Sequence, residues 1–190
     1  MLRQAQHERD GAVHTLVCHP DTPAKAVTAV TAQWSASDVN ETLLTFTVSG
    51  TGAIVIPERS SPVRTDGLWR TTCFEMFWHP DDATGYVEVN LSPSGKWAAY
   101  AFDGYRAGMR EQPMEVDPHV EVVEQADRLI LDADIDFSTF PGRSVRIALS
   151  AVIEETDGTR SYWALRHPPG PPDFHHPDCF ALELPALGSA

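Results

Sequence analysis

The chain is short of basic residues: 14 Lys and Arg stand against 27 Asp and Glu, for a formal net charge of −13. Nucleic acid and anionic membrane both need clustered cations, so the composition opposes both as partners. Cysteine is scarce as well. Cys18, Cys73 and Cys179 lie far apart and in no paired motif, which argues against a disulfide framework and for a reduced, cytoplasmic setting. No apolar run is long enough for a membrane helix, and the opening MLRQAQHERDGAVH has no apolar export core. A Gly-rich phosphate loop and a G-x-S-x-G elbow are missing too. So is helical periodicity, almost throughout. With 42% hydrophobic and 22% charged residues, the chain can still build a packed core.

What is present is concentrated between Asp66 and Arg106, which holds three of the five tryptophans and three of the four tyrosines. Side chains on a strand alternate faces with a period of two. Thr72 to His79 puts Phe74, Met76 and Trp78 on one face and Cys73, Glu75 and Phe77 on the other. After the turn residues HPDDATG, Tyr86 to Leu91 separates Val87, Val89 and Leu91 from Tyr86, Glu88 and Asn90. SPSG makes a second turn before a strand from Lys96 to Phe102. If His79 pairs with Tyr86, Asn90 lies opposite Glu75 and Glu88 opposite Phe77. Glu75 and Glu88 are then diagonal neighbours, roughly 7–8 Å apart at the backbone. Two registers remain for the third strand. One sets Tyr100 opposite Glu88 and sends Trp97 to the core, and a slip of one residue does the reverse.

The rest of the chain reads as short strands separated by turns. Val13 to Cys18 is a first edge strand. Ala24 to Trp34 favours strand over helix, with Val27, Ala29 and Thr31 on one face. Thr42 to Ser49 turns Leu44, Phe46 and Val48 inward, and a short strand from Ala53 to Ile56 follows a Gly50-Thr51-Gly52 break. Val120 to Glu124 and Arg128 to Phe137 form a hairpin. Val145 to Ile153 and Ser161 to Arg166 form another around Asp157-Gly158. Phe180 to Leu184 closes the sheet. Nine or ten strands at turn intervals of roughly 8–12 residues imply a single-domain, all-β antiparallel sandwich of jelly-roll type over residues 1–190.

Taken together, LWRTTCFEMFW, YVEVNLSPSGKWAAYAFDGYR, SYWALRHPPGPPDFHHPDCFALEL and LVCHPDTP resemble bacterial DOMON-like domain proteins over nearly the whole chain. More distantly, the central strands are similar to family 9 carbohydrate-binding modules and to the haem-binding cytochrome domain of cellobiose dehydrogenase. The resemblance implies a sandwich that holds a sugar or a haem against one sheet. It assigns no established activity.

Three constellations carry chemistry. Glu75, Glu88 and Asn90, with Trp69, Arg70, Tyr100, Tyr105 and Arg106 near the strand ends, supply acids, an amide and aromatic platforms. Sugars, with apolar ring faces rimmed by hydroxyls, need such a set. Its structural alternative is a solvated sheet face on which Arg70 and Arg106 neutralise the two acids. The same acids would serve a glycoside hydrolase, which sets two carboxyls across the scissile bond. The second constellation is the loop HPPGPPDFHHPDC, with His167, Asp173, His175 and His176 above Tyr162 and Trp163. Its spacing matches no zinc signature, so no metal is expected, and its prolines make it an extended lid over a ligand site. The third is Met109 or Met114 meeting a loop histidine around haem, which the cytochrome resemblance suggests. The expectation is a non-catalytic domain that binds a small polar ligand, most plausibly a sugar or glycan fragment, without cofactor. Haem binding, hydrolysis by Glu75 and Glu88, and a protein interaction module are the rivals.

Overall fold

A computed structural model of the 190-residue chain describes residues 11–36, 41–136 and 144–184. Its strands are β1 (Val13–Thr15), β2 (Val17–Cys18), β3 (Ala29–Ala36), β4 (Glu41–Ser49), β5 (Cys73–Pro80), β6 (Tyr86–Leu91), β7 (Trp97–Phe102), β8 (Arg110–Glu111), β9 (His119–Glu124), β10 (Arg128–Asp136), β11 (Val145–Glu154), β12 (Arg160–Ala164) and β13 (Leu182–Leu184). Short 3-10 turns occupy Thr51–Ala53, Leu68–Arg70 and Pro177–Cys179. Every strand pair is antiparallel. Sheet one runs β1-β3-β4-β10-β9; sheet two runs β2-β12-β11-β5-β6-β7-β8, with β13 also on β11. The fold is an antiparallel β-sandwich.

Alternation builds the layer between the sheets. Leu44, Phe46 and Val48 on β4 and Leu129, Leu131, Ala133 and Ile135 on β10 face Phe74, Met76, Val89, Leu91, Ile147 and Leu149 of sheet two. Aromatic rings bridge the sheets, Phe46 to Phe74 at 4.9 Å and Trp34 to Trp78 at 5.9 Å between centroids. The central hairpin has the register that pairs Glu75 with Asn90 and Phe77 with Glu88. The third strand takes the register that pairs Glu88 with Tyr100 and Leu91 with Trp97, so Trp97 joins the core.

Four expectations need correction. Val13 to Cys18 is not one edge strand. The chain changes sheets at buried Leu16, whose N–H donates to Val30, so β1 lies in sheet one and β2 in sheet two. Residues 24–28 are not strand. The N–H groups of Lys25 and Ala26 donate to the buried Glu155 carboxylate at 2.9 and 3.0 Å instead of to a ladder. β3 therefore starts at Ala29, and its buried residues are Val30, Ala32 and Trp34, the face opposite Ala29 and Thr31. The strand expected at Ala53 to Ile56 is a 3-10 turn followed by a single bridge from Ile54 to Glu155. Gly50 starts that turn in the left-handed region, and a Cβ there would sit 2.3 Å from the Ala26 carbonyl. Lastly, thirteen strands are present among the described residues rather than nine or ten; β8 lies in a stretch where no strand was expected, and the first strand is two. Phe137, the expected end of β10, lies outside the described residues.

The two layers differ in how much each residue carries. Phe74→Ala should cost about 3–5 kcal/mol, the usual result of emptying an aromatic site in a core. Val123→Ala, on an exposed β9 position, should stay within about 0.5 kcal/mol. Urea unfolding of the two variants measures both.

Candidate ligand-binding site

Sheet two is covered on both faces. Its outer face carries Cys73 and Phe77 of β5, Tyr86 of β6, Ala98, Tyr100 and Phe102 of β7, and Ala148 and Val152 of β11. Three segments pack over these: the Leu68 turn, the stretch 103–109 and the loop 167–180, which supplies Phe174, Cys179 and Phe180. Glu75, Glu88 and Asn90 project to this same side from β5 and β6, and are 4%, 6% and 0% exposed. The polar face is thus an interior layer, not the solvated surface of the alternative reading. It closes imperfectly, leaving a cavity of about 320 Å³. Glu75 and Glu88 line it together with Trp69, Tyr100, Phe102, Val152, Tyr162, Pro172 and Phe174, and Arg106, Met109 and His175 complete the lining.

The hydrogen bonds around the two acids are few. Asn90 Nδ2 donates to Glu88 Oε1 at 2.6 Å, and His175 Nε2 stands 3.7 Å from Glu88 Oε2. Ser150 Oγ donates to Glu75 Oε2 at 3.5 Å, a long bond. Asn90 Oδ1 is buried without a partner among the described residues. Arg106 does not neutralise the acids by contact. Its guanidinium donates to Asp173 Oδ1 at 2.7 Å, and the Tyr105 hydroxyl donates to the same carboxylate. Arg106 holds a left-handed backbone, φ 52°, with its N–H donating to the Tyr86 hydroxyl. That hydroxyl also meets His175 Nδ1 at 2.7 Å. Tyr100 donates to Asp66 Oδ1 at 2.6 Å.

Burial dominates the proton affinities here. It pushes the Glu75 carboxyl well above the carboxylate range, and neighbouring Glu88 adds to the shift. Burial lifts Glu88 to about 7, opposed by the Asn90 hydrogen bond and the Arg106 charge. It drops His175 to about 4, with help from Arg106. Asp173 stays below its ordinary value although partly buried, because Tyr105 and Arg106 donate to it.

Of the residues expected at the site, Trp69, Glu75, Glu88, Tyr100, Arg106 and His175 line the cavity. Asn90, Tyr105 and Asp173 stand behind them as hydrogen-bond partners. Four do not belong. Arg70 is exposed beside Gly67. Trp163 lies in the core between the sheets, because β12 pairs it with the inward-facing Ala151; its indole donates to Ser161 Oγ. His167 bonds the Val17 carbonyl through Nε2 at 2.8 Å. His176 caps the Pro177–Cys179 turn, accepting from the Asp178 N–H. Sequence reasoning missed Phe102, Val152, Pro172 and Phe174 as lining residues. Phe102 was within reach, since it shares the face of Tyr100 two positions away. Among the described residues, no cluster of three or more His, Cys, Asp or Glu could hold a metal ion. The cavity does not suit haem. His175 faces Tyr86 and Glu88 with its two ring nitrogens, Met109 is largely exposed, and the two carboxyls lie where a macrocycle would need apolar contact.

Among solved structures the chain is similar to a Bacteroides uniformis protein proposed to bind carbohydrate, with a TM-score of 0.64 at 15% identity over 88% of this chain and 83% of that one. It is also similar to a family 9 carbohydrate-binding module from Caldicellulosiruptor kristjanssonii solved with cellotriose, with a TM-score of 0.53 at 10% identity over 84% of this chain and 75% of that one. Both likenesses are of fold. No protein-family model matches the chain, and no curated protein matches it in sequence.

The buried acids make stability depend on pH. Glu88 holds its proton up to about 7 when folded and loses it near 4.5 when unfolded, so its contribution falls as pH rises through that window. His175 works the other way, removing stability as pH falls from 6.5 towards about 4. Glu88→Gln mimics the protonated acid. It should raise the melting temperature by roughly a few degrees at pH 8 and change it little at pH 5. Calorimetry at both values is the check, and equal shifts would contradict the assignment.

Proposed function

We propose that this cavity binds a small hydroxylated ligand of the sugar class and does so without catalysis. The observation that carries the reading is the pairing of buried, under-bonded polar groups with aromatic walls in one small cavity. Glu75, Glu88 and Asn90 keep hydrogen-bonding capacity that the protein does not use. Trp69, Tyr100, Phe102, Tyr162 and Phe174 offer flat apolar surfaces to ring faces. A volume near the lower end of small-ligand sites, roughly 300–1,000 Å³, suits one or a few rings rather than a long chain. The sandwich fold shared with carbohydrate-binding proteins is compatible with this reading. The DOMON-like motifs and a cytoplasmic setting belong to the same proposal; the latter is supported by three cysteines that are all unpaired.

Hydrolysis fits the carboxyls less well. A glycoside hydrolase keeps one carboxyl protonated and the other ionised. Here burial raises both, and among the described residues neither has a cation bonded to it that would hold it charged. A titration of common monosaccharides and short oligosaccharides by calorimetry tests the proposal. Trp69→Ala, at a partly exposed position, should weaken a binding sugar by about tenfold or more while changing the melting temperature little. Release of shorter sugars during the titration would replace the binding reading with the hydrolytic one.

A further inference from the structure

The cavity is asymmetric in its hydrogen-bonding inventory. Around the two acids the donors are already engaged by the protein. Asn90 Nδ2 is used on Glu88 and Ser150 Oγ on Glu75. The Tyr100 hydroxyl is used on Asp66, and Arg106 is turned onto Asp173 through Nε and Nη2. What remains beside the acids is the acceptor capacity of their carboxyls once ionised; the Trp69 indole and the Tyr162 hydroxyl are donors on the cavity walls. Glu75 has one long hydrogen bond although it is 4% exposed and lines the cavity. Among the described residues, Glu88 has one short bond, from Asn90, and its Oε2 has His175 Nε2 at 3.7 Å. An occupant therefore has to bring donors, and preferably positive charge. A hydroxyl brings one donor and no charge; an ammonium brings three donors and a full charge. Aromatic rings on the walls add a cation–π surface.

We infer that the ligand presents a protonated primary amine to Glu75 and Glu88, which makes amino sugars the favoured members of the class. This rests on the reading of the cavity as a sugar site. The amine would lie between the two carboxyls and bond an open oxygen of each, with the sugar ring against the aromatic walls.

The inference links binding to protons. In the ligand-free protein the acid pair retains protons near neutral pH, and a cation between the acids displaces them. The other ionisable groups facing the pair keep one state there. Arg106 and Asp173 remain charged and paired, and His175 remains neutral above about 4. Tyr86, Tyr100 and Cys73 remain protonated through burial.

Calorimetric titration with glucose, galactose and mannose, their 2-amino derivatives, their N-acetylated amino derivatives, and ethanolamine as an amine without a ring distinguishes the cases. We expect one 2-amino sugar to bind about tenfold or more tightly than its parent hexose and its N-acetyl form. Protons should be released on binding, read from the dependence of heat on buffer. The affinity should also fall by about tenfold from pH 7 to pH 5.5, although the amine is more fully charged at the lower value, because the carboxyls hold their protons more firmly there. Glu75→Gln combined with Glu88→Gln should abolish the preference for the amine; proton release by the unsubstituted protein gives an independent readout should that variant fail to fold. Equal affinity for hexose and amino sugar, equal affinity for the N-acetyl form, or absence of proton release would overturn the inference and leave the sugar site standing. Binding of ethanolamine but of no sugar would overturn the sugar reading and support the amine contact. Binding of none of these compounds would overturn both.

Discussion

The structure turns on a sheet that is dry on both sides. Strands β6 and β7 and most of β5 are buried along their whole length, yet only one face of sheet two has another sheet to pack on. The other face is roofed by loops. In such a layer an ionisable side chain cannot stay hydrated. It must be paired, lose its charge or meet a ligand, because burying an unpaired charge costs far more than a loop roof returns. Glu155 meets the requirement by accepting backbone N–H groups, and Asp173 by taking Arg106 and Tyr105. Glu75 and Glu88 meet it only in part, and the cavity is where the requirement is left open.

The roof holds because its polar groups are tied individually. His19 meets the Gly170 carbonyl, His167 the Val17 carbonyl, His175 the Tyr86 hydroxyl, and His176 caps its own turn. The histidines gathered in the loop sequence are thus separate pins, each on its own partner. Together with the prolines they order the loop before any ligand arrives, so little further entropy is lost on binding. Arg106 completes the closure from the opposite side, fixed by a left-handed backbone and by its bond to Asp173.

Much of the sheet was legible because alternation and turn chemistry are local. The HPDDATG and SPSG turns set the pairing of β5, β6 and β7, and only the third strand kept two registers. Burial of Trp97, Ala99 and Ala101 against sheet one selects between them. The place of Trp163 was legible too. A hairpin closed at Asp157-Gly158 pairs it with Ala151, which shares the inward face of Ile147 and Leu149. The roof was not legible. Tyr100 finds Asp66 across 34 residues and Arg106 finds Asp173 across 67, and such pairs leave no periodic trace. A face of acids, an amide and phenols has the composition of a wet surface, and only the packing of Phe174 and Phe180 over it shows otherwise.

Proton affinity is the property that joins fold to chemistry here. Solvated carboxylates on a sheet surface would be permanently charged and indifferent to what passes. Burial makes charging Glu75 and Glu88 costly, so in the empty protein they keep protons that exposed acids would lose. That cost is recovered only by an occupant that supplies what water no longer does, either donors or positive charge. The wider chain acts in the same direction, since its net charge of −13 draws cations towards the surface and discourages phosphates. In the proposed site, selectivity would come less from the shape of the cavity than from the incomplete solvation of its floor: a ligand that leaves both carboxyls unsatisfied would gain the aromatic contacts but not the electrostatic attraction, and one that satisfies them would gain both.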